Sequence, residues 1–469
     1  MYAKIKVPAT LWVVVFLALV FTFLHSPNLE ISIPVFLYLP FVYYLFFIKG
    51  DPNIIFWGLL YQWLSVSTQL IYCTILGEPV SYLFVGTIFP AELMEYTNML
   101  SIIGIYAFTL GVFFAVRKVK IIVPDSAWDK YEPRKILQVY VLVSLFINTF
   151  QFIIWAFPNL VQYFFFFFYI KWGFFVVAFI SIFKRAPDLK IFLYVIVAIE
   201  FILGLSSFFA SNFANILLFS VISFSAINKR ITYARGVLFV IAGLVLFHMA
   251  VLWTASKTSY RTYLKKGEMS QSVSVSREEA RAKLLELIVE VDDVTYESAI
   301  EELVNRVGYV HYFAAAVRFV PARIPYENGA LYLAAVDHFL VPRFINPDKE
   351  ILDDSKHTNK YTGLNLSGKS KATSFSLGSF ADAYIDMGPY LMYIPIFLFG
   401  FLIGFFFKYL YRPNLWGMIV TAPFFLLINI YGIDTIKALG FILIYFLVIA
   451  VVKRQLMKTI DPMMLKSTE

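Results

Sequence analysis

The strongest constraint on this chain is the repetition of apolar segments long enough to cross a lipid bilayer. Hydrophobic residue types make up 60% of the sequence and charged residues 15%, whereas a soluble domain carries about 25% charged residues. A spanning helix needs about 20 apolar residues. The chain is therefore predicted to be an all-α polytopic membrane protein. We expect about twelve transmembrane helices, near residues 8–24, 31–48, 54–76, 98–116, 136–156, 160–183, 189–207, 211–228, 236–255, 389–409, 414–431 and 436–452.

The charges of the short loops predict how these spans are oriented. Basic residues concentrate near positions 4–6, 49, 117–135, 184–190, 229–235, 408–412 and 453–458. The intervening loops, near positions 30, 78–95, 159, 212 and 434, are acidic or neutral. Because cytoplasmic loops are enriched in Lys and Arg, we expect both termini in the cytoplasm. The net charge of +8 then reflects topology and does not indicate a nucleic-acid partner.

The first apolar segment resembles a signal peptide in one respect, since Lys4 and Lys6 precede it. No small-x-small cleavage site follows Leu24, so we interpret the segment as a retained span.

These spans divide the chain into three parts. Residues 1–255 form a bundle of spans one to nine, residues 256–388 form one large periplasmic loop, and residues 389–469 contain spans ten to twelve and a cytoplasmic tail. Within the loop, the sequence from Ser276 to Glu279 matches a capping box and predicts a helix over 277–290. Helical spacing of apolar residues predicts further helices over 296–320 and 330–340. Residues 342–388 are polar and predict loop structure.

Four loop arginines are candidates for binding phosphate, because a guanidinium matches phosphate oxygens with two parallel hydrogen bonds. They are Arg306, Arg318, Arg323 and Arg343. The alternative interpretation is that each one pairs with a loop carboxylate or contacts lipid headgroups.

Candidates for acid–base chemistry lie near the entrance to span ten and on the loop helices. Asp382 and Asp386 can accept a proton from a hydroxyl or hold sugar hydroxyls, and the alternative is a solvated loop end. His311 and His338 are conceivable bases or satisfied interfacial histidines. Neither these histidines nor His357 have a metal-ligand partner at i+4, and Cys73 is the single cysteine. We therefore predict no metal site and no cofactor.

Two charged residues fall inside predicted spans, Lys171 in span six and Glu200 in span seven. Charges within a membrane are costly and usually pair. Since the two spans run in opposite directions and both residues lie about halfway along, we predict a structural ion pair.

Several short motifs of the loop carry a family resemblance. They are 257–261 (KTSYR), 305–309 (NRVGY), 325–330 (PYENGA), 341–344 (VPRF) with 346–349 (NPDK), and the stretch from 378 that ends in YIDMG at 384–388. Arg318 and Gly329 also fit an Arg-x10-Gly pattern. With these motifs over roughly 256–400 and the topology elsewhere, the chain resembles the bacterial oligosaccharide repeat-unit polymerases, the Wzy-type O-antigen polymerases. It departs from them at Glu350, where a proline often follows the lysine.

The resemblance implies an inner-membrane glycosyltransferase of polysaccharide and lipopolysaccharide biosynthesis. A glycan on undecaprenyl diphosphate would be transferred to the terminal sugar of another lipid-linked repeat unit, without metal. It implies diphosphate binding by Arg306, Arg318, Arg343 and Arg323. The base would be Asp386, Asp382 or His338. Substrate contacts would come from Arg261, Lys257, Tyr260, Tyr384 and His311. The implied partners are the lipid-linked oligosaccharide, membrane lipids and a chain-length regulator protein.

Three alternatives stay open at this point. An O-antigen ligase, or another transferase with a lipid-linked donor, differs only in its acceptor. A flippase or transporter would place polar residues through its spans and usually shows repeat symmetry. A non-catalytic membrane scaffold would use the arginines only to contact headgroups.

Overall fold

The computed structural model of the chain describes residues 6–84, 87–119, 123–155, 167–205, 211–227, 233–266, 275–340, 352–367 and 374–466. Its regular structure is helical apart from one short antiparallel hairpin, β1 (Tyr82–Phe84) and β2 (Thr87–Phe89). The first nine helices are α1 Ala9–His25, α2 Leu29–Phe46, α3 Ile54–Leu76, α4 Ala91–Val116, α5 Ser126–Asp129, α6 Pro133–Trp155, α7 Ile170–Arg185, α8 Lys190–Leu205 and α9 Ser211–Ser225. Two short 3-10 turns, Phe167–Tyr169 and Pro187–Leu189, precede α7 and α8.

The remaining helices begin at the predicted ninth span. They are α10 Tyr233–Leu264, α11 Arg277–Val289, α12 Asp293–Val307, α13 Val310–Phe319, α14 Ala330–Leu340, α15 Asp354–Thr362, α16 Ser379–Leu391, α17 Tyr393–Leu410, α18 Leu415–Thr421, α19 Phe424–Ile428 and α20 Thr435–Met464. Among the described residues, α2, α3, α4, α17 and α20 are long and apolar enough to cross a membrane. The helical class predicted from the sequence is therefore confirmed. These five helices are compatible with a membrane protein, and the count of twelve spans stays a prediction.

The predicted eleventh span is not a continuous helix. Residues 414–431 form the two short helices α18 and α19, which are separated at Ala422 and Pro423. Pro423 has no N–H to donate to the carbonyl of Ile419, so the hydrogen bond that would continue the helix is lost there. That carbonyl instead faces α7, where a Cβ added to Gly173 would lie 2.0 Å from the Ile419 oxygen.

The segment predicted as one large loop is largely helical. The helix expected over 277–290 is α11, and its capping box is present: Glu279 N–H donates to Ser276 Oγ at 3.2 Å and Ser276 N–H donates to Glu279 Oε2 at 2.9 Å. The helix expected over 330–340 is α14. The single helix expected over 296–320 is wrong, because the chain breaks between α12 and α13 at Gly308, whose backbone is extended.

The loop expected over 342–388 is also wrong in its described part, because α15 and α16 are helices. Asp353 caps α15 by accepting a hydrogen bond from Lys356 N–H at 3.3 Å, and Gly363 ends it in the left-handed conformation. Polar composition concealed α15, since a polar helix lacks the apolar stripe that the sequence pattern detects.

A close helix pair fixes α16 in place. In α4 and α17 the backbones touch, since a Cβ added to Gly111 would lie 2.1 Å from the Phe397 oxygen and one added to Gly400 would lie 2.2 Å from the Phe108 oxygen. Small residues at such positions let membrane helices approach closely. The ring of Phe380, at the start of α16, packs on α4 at Gly104, so the pair also positions the first turn of α16.

Hydrogen bonds join connecting segments and helix ends that are distant in the sequence. Arg185 Nη1 donates to Asp129 Oδ1 at 2.9 Å, and Trp416 Nε1 donates to Asp461 at 2.7 Å. Asn28 donates to the Glu78 carbonyl at 2.9 Å. The orientation expected from the charge pattern stays a prediction.

The predicted pair of Lys171 and Glu200 is confirmed. Lys171 Nζ lies 3.3 Å from Glu200 Oε2, and both side chains are buried. Lys171 also donates to Asn148 Oδ1 at 3.1 Å, while Ser144 Oγ donates to the Glu200 carboxylate. Each charge thus has a charged and a neutral partner, which is the arrangement expected of a structural pair.

We predict that Lys171→Ala and Glu200→Ala each lower the yield of folded protein. Removing one partner of a buried pair leaves an uncompensated charge, at a cost of about 3–5 kcal/mol. The double variant Lys171→Met/Glu200→Gln, which removes both charges, should restore much of the yield in fluorescence-detected size-exclusion chromatography. Wild-type yields from both single variants would show that the pair contributes nothing.

Candidate functional site

A charged cleft lies where α15, α16 and the start of α20 meet. It encloses about 410 Å³, counting the part open to solvent. Its ionisable lining residues are Asp353, Asp354, His357, Asp382, Asp434 and Lys437. These residues come from three separate stretches of the chain.

Asp434 joins two of these stretches by hydrogen bonds, the start of α20 and residues 376–378. It precedes the first residue of α20, and its Oδ1 accepts hydrogen bonds from Ser376 Oγ at 2.7 Å, Leu377 N–H at 2.8 Å and Gly378 N–H at 3.1 Å. Gly378 has a φ of +98°, and a Cβ there would lie 2.1 Å from the Tyr431 oxygen. Only glycine permits both this conformation and this approach.

Asp382 lies one turn into α16 and faces the same cleft. Its Oδ2 accepts a hydrogen bond from Thr435 N–H at 2.7 Å, and its Oδ1 lies 2.8 Å from Nε2 of His357. The Asp382 side chain is 4% exposed and the His357 side chain 24%. A backbone N–H therefore fixes the buried Asp382 carboxylate, and the partly exposed imidazole of His357 is the member of the pair that the cleft can reach.

A second ion pair lies on the same wall. Asp354 pairs with Lys437 and also accepts a hydrogen bond from Ser374 Oγ at 2.6 Å. The Asp354 side chain is buried, while that of Lys437 is 31% exposed. Asp354, Asp382 and Asp434 therefore contribute three buried carboxylates, against one lysine and one histidine.

The protonation of these groups reflects this surplus of negative charge. Burial alone lowers the pKa of His357, but the charge of Asp382 and the hydrogen bond to it prevail and raise that pKa to about 9. Burial raises the pKa of Asp434, with the charge of Asp382 adding to it, to about 6. Burial raises the pKa of Asp354 but is outweighed by Lys437, so that this pKa is lowered.

Of the three predicted catalytic residues, the structure places Asp382 in the cleft. Asp386 is fully buried elsewhere, and it accepts hydrogen bonds from Gly329, Leu331 and Tyr332 N–H at 2.8, 3.2 and 3.2 Å. It therefore holds the N-terminus of α14, where a carboxylate is favoured by the free amides and the helix dipole. His338 lies toward the other end of α14, so the structure does not bring these two candidates together.

Three of the predicted substrate-binding residues are buried in the protein. Tyr384 donates from its hydroxyl to the Val320 carbonyl at 3.1 Å and accepts from Tyr326 at 3.4 Å. His311 is fully buried in α13, and burial lowers its pKa to about 3. Tyr260 is also buried and packs with Leu264, Ala280 and Leu284. The contacts of all three side chains are with the protein itself, which favours a structural role for them.

Three other candidates form a basic group between α10 and α12, and we refer to Lys257, Arg261 and Arg306 as the basic cluster. Lys257 pairs with Glu302. Arg261 is within electrostatic range of Arg306 and of the same carboxylate. Tyr309, just beyond α12, is within electrostatic range of Arg306 and of the cleft residues Asp354 and Asp434.

The other predicted arginines are placed differently. Arg318 is exposed and its guanidinium lies over the ring of Phe89, 5.1 Å from the centroid. Arg323 is exposed on the turn after α13. Arg343 lies outside the described residues. Arg306 and Arg318 lie on different helices, α12 and α13, because the chain breaks at Gly308 between them.

Sequence reasoning missed four residues of the cleft: Asp354, His357, Asp434 and Lys437. Asp434 and Lys437 flank the start of the last apolar segment, which is a recognisable signal. His357 and Asp354 lie in a polar stretch that the pattern did not identify as a helix. Their proximity to Asp382 follows from tertiary structure alone.

The pattern of a protein family described as "Domain of unknown function (DUF8712)" matches residues 61–420 of the chain. The matched range includes Asp354, His357 and Asp382 of the cleft, while Asp434 and Lys437 lie beyond it. No curated protein and no solved structure matches the chain.

The burial of His311 predicts a pH-dependent stability. Its pKa is about 3 in the folded chain and about 6.5 when unfolded, so the unfolded state binds more protons between these values. Stability from this group is complete above pH 6.5 and decreases as the pH falls, by on the order of 3 kcal/mol near pH 4. We predict that the melting temperature of His311→Gln in detergent falls less steeply than that of the wild type as the pH is lowered below 6.5. The same steepness in both proteins would contradict the burial of a neutral His311.

Proposed function

We propose that this chain, which belongs to the DUF8712 family, is a membrane glycosyltransferase that joins lipid-linked oligosaccharide repeat units into a surface polysaccharide. The observation that supports it is the charged cleft, in which buried carboxylates and a histidine meet at the ends of membrane-type helices. A polar acceptor whose lipid tail stays in the bilayer needs a site of this kind. The donor would be a glycan on undecaprenyl diphosphate, as the family resemblance implies.

We further propose twelve spans with both termini in the cytoplasm and the cleft on the periplasmic side of the bacterial inner membrane. This orientation is supported by the alternation of basic loops with acidic or neutral loops along the sequence, since cytoplasmic loops are enriched in Lys and Arg. It would place the cleft where lipid-linked repeat units are polymerised.

The cleft and the basic cluster suit the two halves of the reaction. A hydroxyl oxygen of the acceptor attacks the anomeric carbon of the donor, and the bond from that carbon to the diphosphate breaks. The hydroxyl proton passes to the acidic wall of the cleft, where Asp382 is the candidate. The electron pair of the broken bond stays on the undecaprenyl diphosphate that leaves.

Fixed positive charges near the leaving group stabilise the charge that develops there. Arg306, Arg261 and Lys257 would supply them from the basic cluster, and Lys437 from the cleft itself. The three cations of the basic cluster are therefore the candidates for contact with the diphosphate.

A transporter is the second candidate, because a buried network of carboxylates, histidine and lysine also suits proton coupling. An O-antigen ligase would use the same geometry with a different acceptor. A test of the function must therefore separate polymerisation from ligation and translocation.

Deletion of the gene in its own host should collapse the ladder of surface glycolipid on a silver-stained gel to core plus a single repeat. This outcome is expected because ligation and translocation of one unit do not need the polymerase. Loss of the single-repeat band as well would indicate a ligase or a flippase. An unchanged ladder would contradict the proposal for this polysaccharide.

Complementing that deletion with variants tests the cleft. We predict that His357→Ala and Asp382→Asn each reduce polymer by about 100-fold or more, the range typical of lost acid–base groups. Lys360→Ala is the matched control, because Lys360 is exposed on the same helix and pairs with Glu327. Equal ladders from His357→Ala and Lys360→Ala, at equal protein levels, would place the chemistry outside the cleft.

A further inference from the structure

One helix of the bundle begins at a place that is buried and has no capping side chain. α13 starts at Val310, which is fully buried, and Tyr309 before it makes no side-chain capping hydrogen bond. The N–H of Val310 donates to no acceptor among the described residues. The first amides of a helix have no partner inside it and need one from a side chain, a water molecule or a ligand. The start of α13 therefore lacks the partner that its burial requires.

Two amide side chains of α3 lie on the face that meets this helix start. Gln62 accepts a hydrogen bond from Ile430 N–H at 3.0 Å. A Cβ added to Gly308, two residues before α13, would lie 3.7 Å from the Gln69 nitrogen and 3.7 Å from the Ser65 oxygen. Gln62, Ser65 and Gln69 are spaced by three and four residues, so they share one face of α3. Because helical side chains lean toward the N-terminus of their helix, the Gln69 side chain is directed at the chain break in front of α13.

These amides have a hydrogen-bonding capacity that the protein leaves unused. Gln69 is 2% exposed, and neither its Oε1 nor its Nε2 has a partner among the described residues. Nε2 of Gln62, which is 1% exposed, likewise has no acceptor in the part of the chain that the structure describes. Polar groups that are buried this completely are normally hydrogen-bonded. Together with the N–H of Val310, they form a group of donors that calls for an acceptor.

The charge at this place favours an anion. Arg306 lies in the last turn of α12, two residues before Gly308, and is within electrostatic range of Tyr309. Lys257 and Arg261 are in turn within electrostatic range of Arg306. The N-terminus of a helix adds partial positive charge and free N–H groups, which together favour phosphate and other anions.

The nearby carboxylates are engaged with other groups. Glu302 and Asp354 each pair with a lysine. Asp434 accepts hydrogen bonds from residues 376–378. Among the described residues, none of these three carboxylates accepts a hydrogen bond from α3 or from the start of α13, so these donors remain for a ligand.

We propose that the start of α13, the Gln69 amide and Arg306 form a binding site for a phosphate group. Val310 N–H and Gln69 Nε2 would donate to phosphate oxygens, and the Arg306 guanidinium would pair with them. Half-helices whose N-termini point at anionic groups serve the same purpose in membrane proteins with discontinuous helices.

The identity of the ligand rests on the proposed function, in which the phosphate belongs to the diphosphate of the lipid-linked donor. As the bond from the anomeric carbon breaks, charge gathers on the leaving diphosphate, and fixed donors stabilise it. Binding of a phosphate is measured without the reaction. If the chain bound no phosphate but its deletion collapsed the ladder, this site would be wrong and the function would stand, and the converse result would keep the site.

The test uses the full chain in a neutral detergent, with inorganic pyrophosphate alone as the probe in isothermal titration calorimetry. We expect one pyrophosphate per chain. Gln69→Leu should weaken its binding by at least about tenfold, since a hydrogen bond to a charged group is lost, and Arg306→Gln should weaken it at least as much. Because the Gln69 amide has no partner to lose among the described residues, the melting temperature of Gln69→Leu should equal or exceed that of the wild type.

Two matched controls come from α7, which carries no residue of the site. Ser181→Ala removes another buried polar group without a partner among the described residues, and Arg185→Gln removes an arginine that is paired with Asp129. Both variants should bind pyrophosphate as the wild type does. Equal affinity in all five proteins, or no binding to folded wild type, would overturn the proposal. A melting temperature of Gln69→Leu below that of the wild type would also overturn it, because the amide would then have a partner within the protein.

A competitor separates the two sources of phosphate. Farnesyl diphosphate carries its diphosphate on a short isoprenoid chain, whereas phosphatidylglycerol is an ordinary membrane lipid. Displacement of pyrophosphate by farnesyl diphosphate alone would support the lipid-linked donor as the ligand. Displacement by phosphatidylglycerol would assign the site to lipid headgroups and overturn its role in the reaction.

Discussion

The carboxylate of Asp434 connects the parts of the chain from which the cleft is built. Its three hydrogen bonds join residues 376–378 to the start of α20, and Gly378 permits the contact by lying directly on Tyr431. This junction fixes the first turn of α16 beside the first turn of α20. Asp382 then meets Thr435 N–H on one side and His357 on the other, so the geometry of the cleft depends on a single aspartate.

The two buried charge groups of the molecule differ in how completely they are compensated. Lys171 and Glu200 neutralise each other. Asn148 accepts a further hydrogen bond from Lys171, and Ser144 donates one to Glu200. The cleft instead gathers three carboxylates around one lysine and one histidine. Surplus buried charge is costly, and such groups are retained chiefly where a ligand or a reaction uses them. This contrast separates a structural pair from a candidate site without reference to any relative.

The sequence predicted what depends on local pattern. The apolar segments of α2, α3, α4, α17 and α20, the capping box at Ser276 and the intramembrane ion pair all follow from composition or spacing along one element. The break at Gly308, the helix α15 and the interrupted eleventh span do not. Asp382 was identified because it lies at the entrance to a span, but its partner His357 is 25 residues away in a stretch with no apolar periodicity. The cleft results from tertiary packing, and local patterns in a single sequence do not show which distant residues will meet.

Two non-helical segments of the chain meet each other. Gly432, between α19 and α20, packs on the ring of Tyr309, just after α12, since a Cβ there would lie 2.6 Å from that ring. Both segments lie against the central part of α3, where Gln62 accepts a hydrogen bond from Ile430 N–H at 3.0 Å and a Cβ added to Gly308 would lie 3.7 Å from the Ser65 oxygen. Irregular backbone within a membrane bundle is tolerated only where protein groups or a polar cavity satisfy it. The side chain of Gln62 is such a group, so α3 supports the non-helical backbone that leads to Asp434 and the cleft.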